Sequence, residues 1–183
     1  ISSIAWSGII PALEAKKIDA IVGGMSITEE RKKKVNFTDS YFASGLSVVV
    51  NKKNKDIKDM KSLEGKTIAV KIATSAKEIA DNIKNAKVIV YDTNDVIYNA
   101  VIAGKADAMI SDTPVNDYTV ARAQGKDKLK TAFIHNSDDF YGIAVRKKDK
   151  QLLNDLNEAL KTIKQNGTYN KISMEWFGKK LVK

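Results

Sequence analysis

Apolar positions along the chain recur in two rhythms: short unbroken runs, and one-sided stretches with helical spacing. Residues 1–6 are apolar and tolerant of extended backbone. Residues 8–16 carry Ile9, Ile10 and Leu13 on one face of a predicted helix. Residues 18–22 form a buried-type strand that ends at Gly23-Gly24. Ser26-Ile27-Thr28-Glu29 reads as a capping box with Ser26 as the cap, opening a short helix to Lys33. Residues 37–42 read as loop, 45–50 as a β-branched strand, and 52–65 as a polar connection with one short helical stretch.

A second module follows. Strands are predicted at 66–72, 87–92, 107–111 and 129–134, with helices at 75–83, 95–103 and 113–124. Gly104 and Gly125 stop the second and third of these helices. Residues 141–145 read as one strand, 150–166 as a long amphipathic helix closed by Gly167, and 169–177 as a terminal helix. Strands alternating with helices of such length argue for α/β sheets with parallel pairing.

Composition narrows the chemistry. There is no cysteine and one histidine, His135, so thiolate sites, disulfides and multi-histidine metal sites are excluded. No apolar run approaches the ~18 residues of a membrane span. The 183 residues carry 31 basic and 22 acidic side chains, a formal charge of +9. Nucleic-acid readers lean on bidentate Arg, but 28 of the basic residues are Lys. Arg occurs only at 31, 122 and 146, and the Lys are spread along the chain. That distribution reads as a solvated surface.

Three strand-to-helix junctions carry polar groups where α/β sheets take ligands. They are Gly23 to Ser26 followed by Arg31, Lys71 to Ser75, and Ser111 to Pro114. Two helix N-termini, an Arg and an Asp together suit a zwitterion, with the carboxylate on Arg and backbone N–H groups and the ammonium on Asp.

The same stretches carry a family likeness. Trp6 to Leu13, Lys17 to Arg31, Val35 to Tyr41, Leu63 to Lys71, Ala106 to Pro114, Tyr141 to Lys147 and Asn166 to Ile172, closing on Trp176 to Gly178, resemble the polar amino-acid-binding proteins of bacterial ABC importers (solute-binding family 3, glutamine-binding type). The resemblance implies a two-lobed α/β fold of the type II periplasmic-binding class, mainly parallel sheets with flanking helices and two crossing hinge strands. Lobe 1 would comprise 1–46 and 146–183, and lobe 2 residues 47–145. It implies a non-enzymatic receptor outside the cytoplasm, associated with the membrane, that closes on a polar amino acid and delivers it to a permease. No catalytic residue, metal, cofactor or nucleic acid is implied.

By the same resemblance Arg31 clamps the ligand carboxylate, with Ser26 as a donor beside it. The Gly24 carbonyl and Asp112 take the ammonium. Thr74 and Ser75 form a helix N-terminus that donates to the carboxylate, and Trp6 packs on the ligand's aliphatic stem. Lys71 and Ser111 fall where side-chain selectivity is set, and Lys71 favours glutamine. Each has a plainer reading: Asp112 as a helix cap, Arg31 as part of the solvated Lys32 to Lys34 face, Trp6 as core, Lys71 and Ser111 as bystanders. Trp176 and Phe177 read as apolar packing of the last helix, and His135 takes no role.

The resemblance also implies a strand, a loop and a helix ahead of the segment matching Ile1. A complementing segment or a domain-swapped copy would then supply the strand. The rival functions on this scaffold are the ligand-sensing domain of a receptor or kinase, and a dehydratase or lyase.

Overall fold

The computed structural model describes residues 1–121, 125, 127–136 and 139–177. A 3-10 turn at Trp6–Gly8 leads into α1 (Ile9–Glu14), β1 (Ala20–Ile21), α2 (Glu29–Lys34), β2 (Val35–Phe37), β3 (Phe42–Ala43) and β4 (Leu46–Asn51). A second 3-10 turn at Lys61–Leu63 precedes β5 (Thr67–Lys71), α3 (Ser75–Asp81), β6 (Lys87–Tyr91), α4 (Asn94–Ile102), β7 (Ala108–Asp112) and α5 (Thr113–Ala121). The chain continues with β8 (Leu129–Asn136), β9 (Phe140–Tyr141), β10 (Ala144–Arg146), α6 (Lys150–Gln165) and α7 (Thr168–Phe177). The end expected for the 113–124 helix falls at 122–124, outside the described residues, as does Gly178 of the closing motif.

The chain folds as two compact units. Unit 1 holds Ile1–Ile4, Gly8–Ala43 and Phe140–Lys183; unit 2 holds Ala5–Ser7 and Ser44–Asp139. The chain leaves unit 1 just after β3 and returns just before β9, and these two strands pair antiparallel.

Unit 2 is a five-stranded sheet in the order β6-β5-β7-β4-β8. β5 runs parallel to β6 and β7, while β4 enters antiparallel between β7 and β8. Alternation along each strand feeds two separate cores. Leu46, Val48, Val50, Ile68, Val70, Ala108 and Ile110 pack on one face with Ala76 and Ala80 of α3. Val49, Ala69 and Met109 point to the other face, where Ile97, Tyr98 and Val101 of α4 cover them. A sheet covered on both faces needs apolar residues at successive positions, which is why β4, β5 and β7 read as unbroken apolar runs. Each fully buried Ile or Leu contributes about 1.5–3 kcal/mol here.

Unit 1 has a three-stranded antiparallel sheet, β1-β10-β2. Arg146 at the end of β10 ties its corner together. Its guanidinium donates to the carbonyls of Leu13 (3.2 Å) and Ile18 (2.6 Å) and pairs with Asp19 and Asp149. Leu13 is completely buried beside it, and the Leu13 carbonyl belongs to the last turn of α1.

Three expectations are corrected. The cap of α2 is Thr28, whose hydroxyl accepts from the Arg31 amide, whereas Ser26 lies in a β-bridge with Tyr141. The strand expected over 141–145 is split into β9 and β10 around Gly142-Ile143. There the Gly142 amide turns to the Met25 carbonyl and the Ile143 amide to the Thr38 hydroxyl. Trp176 is 75% exposed rather than packed, on a face of α7 with Ile172, which is 47% exposed. β2 falls between the helix expected to Lys33 and the loop expected from residue 37, where no strand is predicted; three residues give too short an alternation to register.

Among the described residues no helix is long and apolar enough to cross a membrane.

Candidate functional site

In unit 1 the segment from Gly24 to Arg31 is held by local and tertiary bonds. Gly24 has a φ of +68°, a left-handed conformation that only glycine adopts without strain. Its amide donates to the Tyr41 hydroxyl at 3.1 Å, and a Cβ at this position would stand 3.2 Å from the Tyr141 ring. The Gly142 amide donates to Met25, and the Ile27 amide to Phe140, so residues 25–27 lie along β9. Ser26 and Arg31 are 3% and 7% exposed. The Arg31 guanidinium donates to the Ser26 carbonyl at 2.9 Å, which orients its planar fork. Lys32 and Lys33 of the same helix are instead exposed and pair with Glu29 and Glu30. Arg31 is therefore not part of that solvated face.

The tyrosines around this segment carried no role in the sequence reading. Tyr41 caps Gly24, burial raises its pKa, and its carbonyl accepts from the Tyr169 hydroxyl. Tyr141 stacks on Phe42 with centroids 5.6 Å apart. Both tyrosines sit in quoted family segments, but their work is to brace the chain across distant elements, which spacing does not reveal.

In unit 2 the relevant residues gather along the edge formed by the carboxyl ends of the interior strands β5 and β7. β5 and β7 are parallel, with Ile68 beside Ala108 and Ala69 beside Met109. Continuing that register sets Lys71 beside Ser111 where both strands end, and Asp112 follows opposite Leu46. The Thr74 hydroxyl caps α3 by accepting from the Lys77 amide and donates to the Lys71 carbonyl at 2.7 Å. Ser75 is the first residue of α3. Trp6 groups with this unit: its indole N–H donates to the Ala73 carbonyl at 2.9 Å, and the Lys71 ammonium lies 5.3 Å from the ring centroid.

Behind this edge lies a polar network that the sequence did not signal. Asn116 is fully buried, and its amide donates to the Ser47 hydroxyl (2.9 Å), the Ser47 carbonyl (3.1 Å) and the Ser111 carbonyl (3.2 Å). The Tyr98 hydroxyl donates to Asn116 Oδ1 at 2.8 Å. Burial pushes the Tyr98 phenol up to about 12, with the negative charges of Asp112 and Asp95 adding to the rise. A single Asn in a helix of mixed polarity is a weak signal, and only its partners show its purpose.

The structure thus collects Gly24, Ser26 and Arg31 in unit 1, and Trp6, Lys71, Thr74, Ser75, Ser111 and Asp112 in unit 2. Among the described residues, no group of acidic and His side chains could hold a metal ion.

Solved structures of the type II periplasmic-binding class match this fold. An ancestral arginine-binding protein, solved bound to arginine, aligns over 97% of this chain and 79% of its own at a TM-score of 0.90 and 38% identity. The structure described as the same kind of protein bound to glutamine gives 0.88 and 37%, with the same coverage. Residues 1–179 match the bacterial extracellular solute-binding proteins, family 3, and the chain belongs to that family. The ABC transporter glutamine-binding protein GlnH of Bacillus subtilis (strain 168) is 36% identical over 169 residues, which is 91% of this chain and 60% of that protein. ABC transporter arginine-binding protein 1 of Escherichia coli (strain K12) is 37% identical over 180 residues, 94% of this chain and 72% of the relative. The chain thus spans less than two thirds of GlnH.

Proposed function

We propose that the chain is the solute-binding component of an amino-acid ABC importer, acting outside the cytoplasm at the membrane, and that it binds a polar L-amino acid, with glutamine preferred. Arg31, oriented by the Ser26 carbonyl, carries the reading because its buried fork matches a carboxylate in geometry and charge. Asp112 supplies the complementary charge for the ammonium, the Gly24 carbonyl assists it, and the start of α3 at Thr74 and Ser75 donates to the carboxylate. A ligand that binds a closed form more tightly than an open one shifts the equilibrium toward it, since equal affinity for both shifts nothing. The closed form docks on the permease. Both relatives named above are called binding proteins, which supports a receptor rather than an enzyme.

Calorimetric titration with glutamine, glutamate, arginine, histidine and cystine tests the ligand. Glutamine is expected to bind about tenfold or more tighter than arginine, because a cationic side chain meets the Lys71 ammonium. A preference for arginine overturns the selectivity given to Lys71.

The reading includes a strand, from a further segment or a second copy, that joins the edge of the unit 1 sheet. β1 is only two residues long and, among the described residues, pairs on one side only, with β10. Unpaired edges recruit strands. Light scattering is expected to show self-association of the 183-residue chain; a strict monomer with full amino-acid affinity contradicts it.

A further inference from the structure

We infer that Trp6 is a positioning residue whose indole holds Lys71 and the Lys71–Thr74 loop in one arrangement, so that selection against cationic ligand side chains depends on Trp6 as well as on Lys71. This inference rests on the proposed amino-acid site and adds the device that sets its selectivity.

Three hydrogen bonds converge on this loop. The Ile72 amide donates to the Tyr91 carbonyl and Thr74 Oγ1 donates to the Lys71 carbonyl, which fixes the main chain at the end of β5. Ala73 has a φ of +57°, a region that side chains with a Cβ rarely occupy. Such a conformation persists only where the surroundings hold it. The Trp6 indole N–H, 67 residues away in sequence, provides that hold through the Ala73 carbonyl at 2.9 Å.

The ring face has a second use. Its centroid lies 5.3 Å from the Lys71 ammonium, within the range of a cation–π contact. Lys is long and rotamer-rich, so an unheld ammonium ranges widely and yields to a cationic ligand by swinging away. Held against the indole, it becomes a fixed positive charge at the edge where β5 and β7 end. A fixed charge discriminates, because the repelled ligand cannot displace it without breaking the indole contact as well. The same charge attracts an amide carbonyl or a carboxylate. The ligand class that follows is an amino acid with a neutral or acidic polar side chain.

The test is a double-mutant cycle read as the ratio of glutamine to arginine affinity. Trp6→Leu and Lys71→Met are each expected to lower that ratio about tenfold, and the double variant no further, because both remove the same held charge. Trp6→Phe keeps a ring face without the indole N–H and should restore part of the ratio. Additive losses, or equal weakening of both ligands by Trp6→Leu with the ratio unchanged, overturn the inference. A ligand-free arm separates it from the proposed function. In a Trp176→Phe background Trp6 is the sole tryptophan, and Lys71→Met should shift its indole proton–nitrogen resonance. If no amino acid binds but the resonance shifts, the positioning stands and the proposed function falls. An unmoved resonance overturns the positioning itself.

Discussion

On the proposed function, replacing Arg31 by alanine should abolish measurable binding of every amino acid tried. Arg31 is 7% exposed and its guanidinium is oriented by the Ser26 carbonyl, so on the proposed reading it meets the carboxylate away from water. Truncating one member of a buried, hydrogen-bonded charge pair costs about 2–5 kcal/mol, much of it from leaving the other charge unpaired. That lowers affinity between roughly thirtyfold and several thousandfold. Arg31→Lys keeps the charge but loses the planar fork, and it should recover only part of the loss. Lys33→Ala is the control. It removes an exposed pair with Glu30 on the same short helix, worth less than about 1 kcal/mol, and should leave affinity unchanged. Because the α-carboxylate is common to all amino acids, the loss must appear with each of them. Retained affinity in a folded Arg31→Ala chain refutes the clamp.

The largest stability effect is expected at Asn116. Substitution by leucine keeps the volume roughly but strips partners from the Ser47 hydroxyl and the Ser111 carbonyl, and leaves the Tyr98 hydroxyl its longer bond to the Val115 carbonyl. Each buried polar group left unpaired costs about 1–3 kcal/mol, so the whole change should destabilise unit 2 by roughly 3 kcal/mol. For a unit near one hundred residues this lowers the melting temperature by more than about 10 °C. A scanning-calorimetry shift of less than about 3 °C contradicts the account.

The same network has an alkaline signature. Burial raises the Tyr98 pKa from 10.0 to about 12, so folding favours the neutral phenol. The contribution is complete below the unfolded value and is lost as pH climbs from about 10 toward 12. Tyr98→Phe should flatten that limb of the stability–pH curve.

What was legible in the sequence has a common physical basis. Through β4 to α5 the pattern of strand and helix followed from neighbours in the chain: apolar runs that suit a sheet covered on both faces, and turns set by Gly104 and the Thr74 cap. The junctions that carry Lys71 and Asp112 were visible for the same reason, since the parallel strands β5 and β7 end where helices begin. Local bonds of this kind span three or four residues and leave a mark on spacing.

Other features have no such mark. Ser26 and Thr28 both suit a helix cap; Thr28 took that place because a bridge to Tyr141, more than a hundred positions away, drew Ser26 into a strand. A run of apolar residues at 141–145 looks continuous until Met25 and Thr38 bend it at Gly142 and Ile143. Trp176 shared the apolar pattern of a packed helix, yet the described residues leave most of its surface open.

By itself, then, the sequence determined the α/β class and the order of elements from β4 to α5, and it offered candidate residues for a zwitterion, because each depends on near-neighbour spacing or on residue chemistry. Only the tertiary structure decided that Arg31 is buried while Lys32 and Lys33 are not, that Asn116 joins three elements, and that Trp6 grips the loop at Ala73 and Lys71. Those depend on burial and on bonds between groups far apart in the chain, which form only once both partners have been brought out of water together.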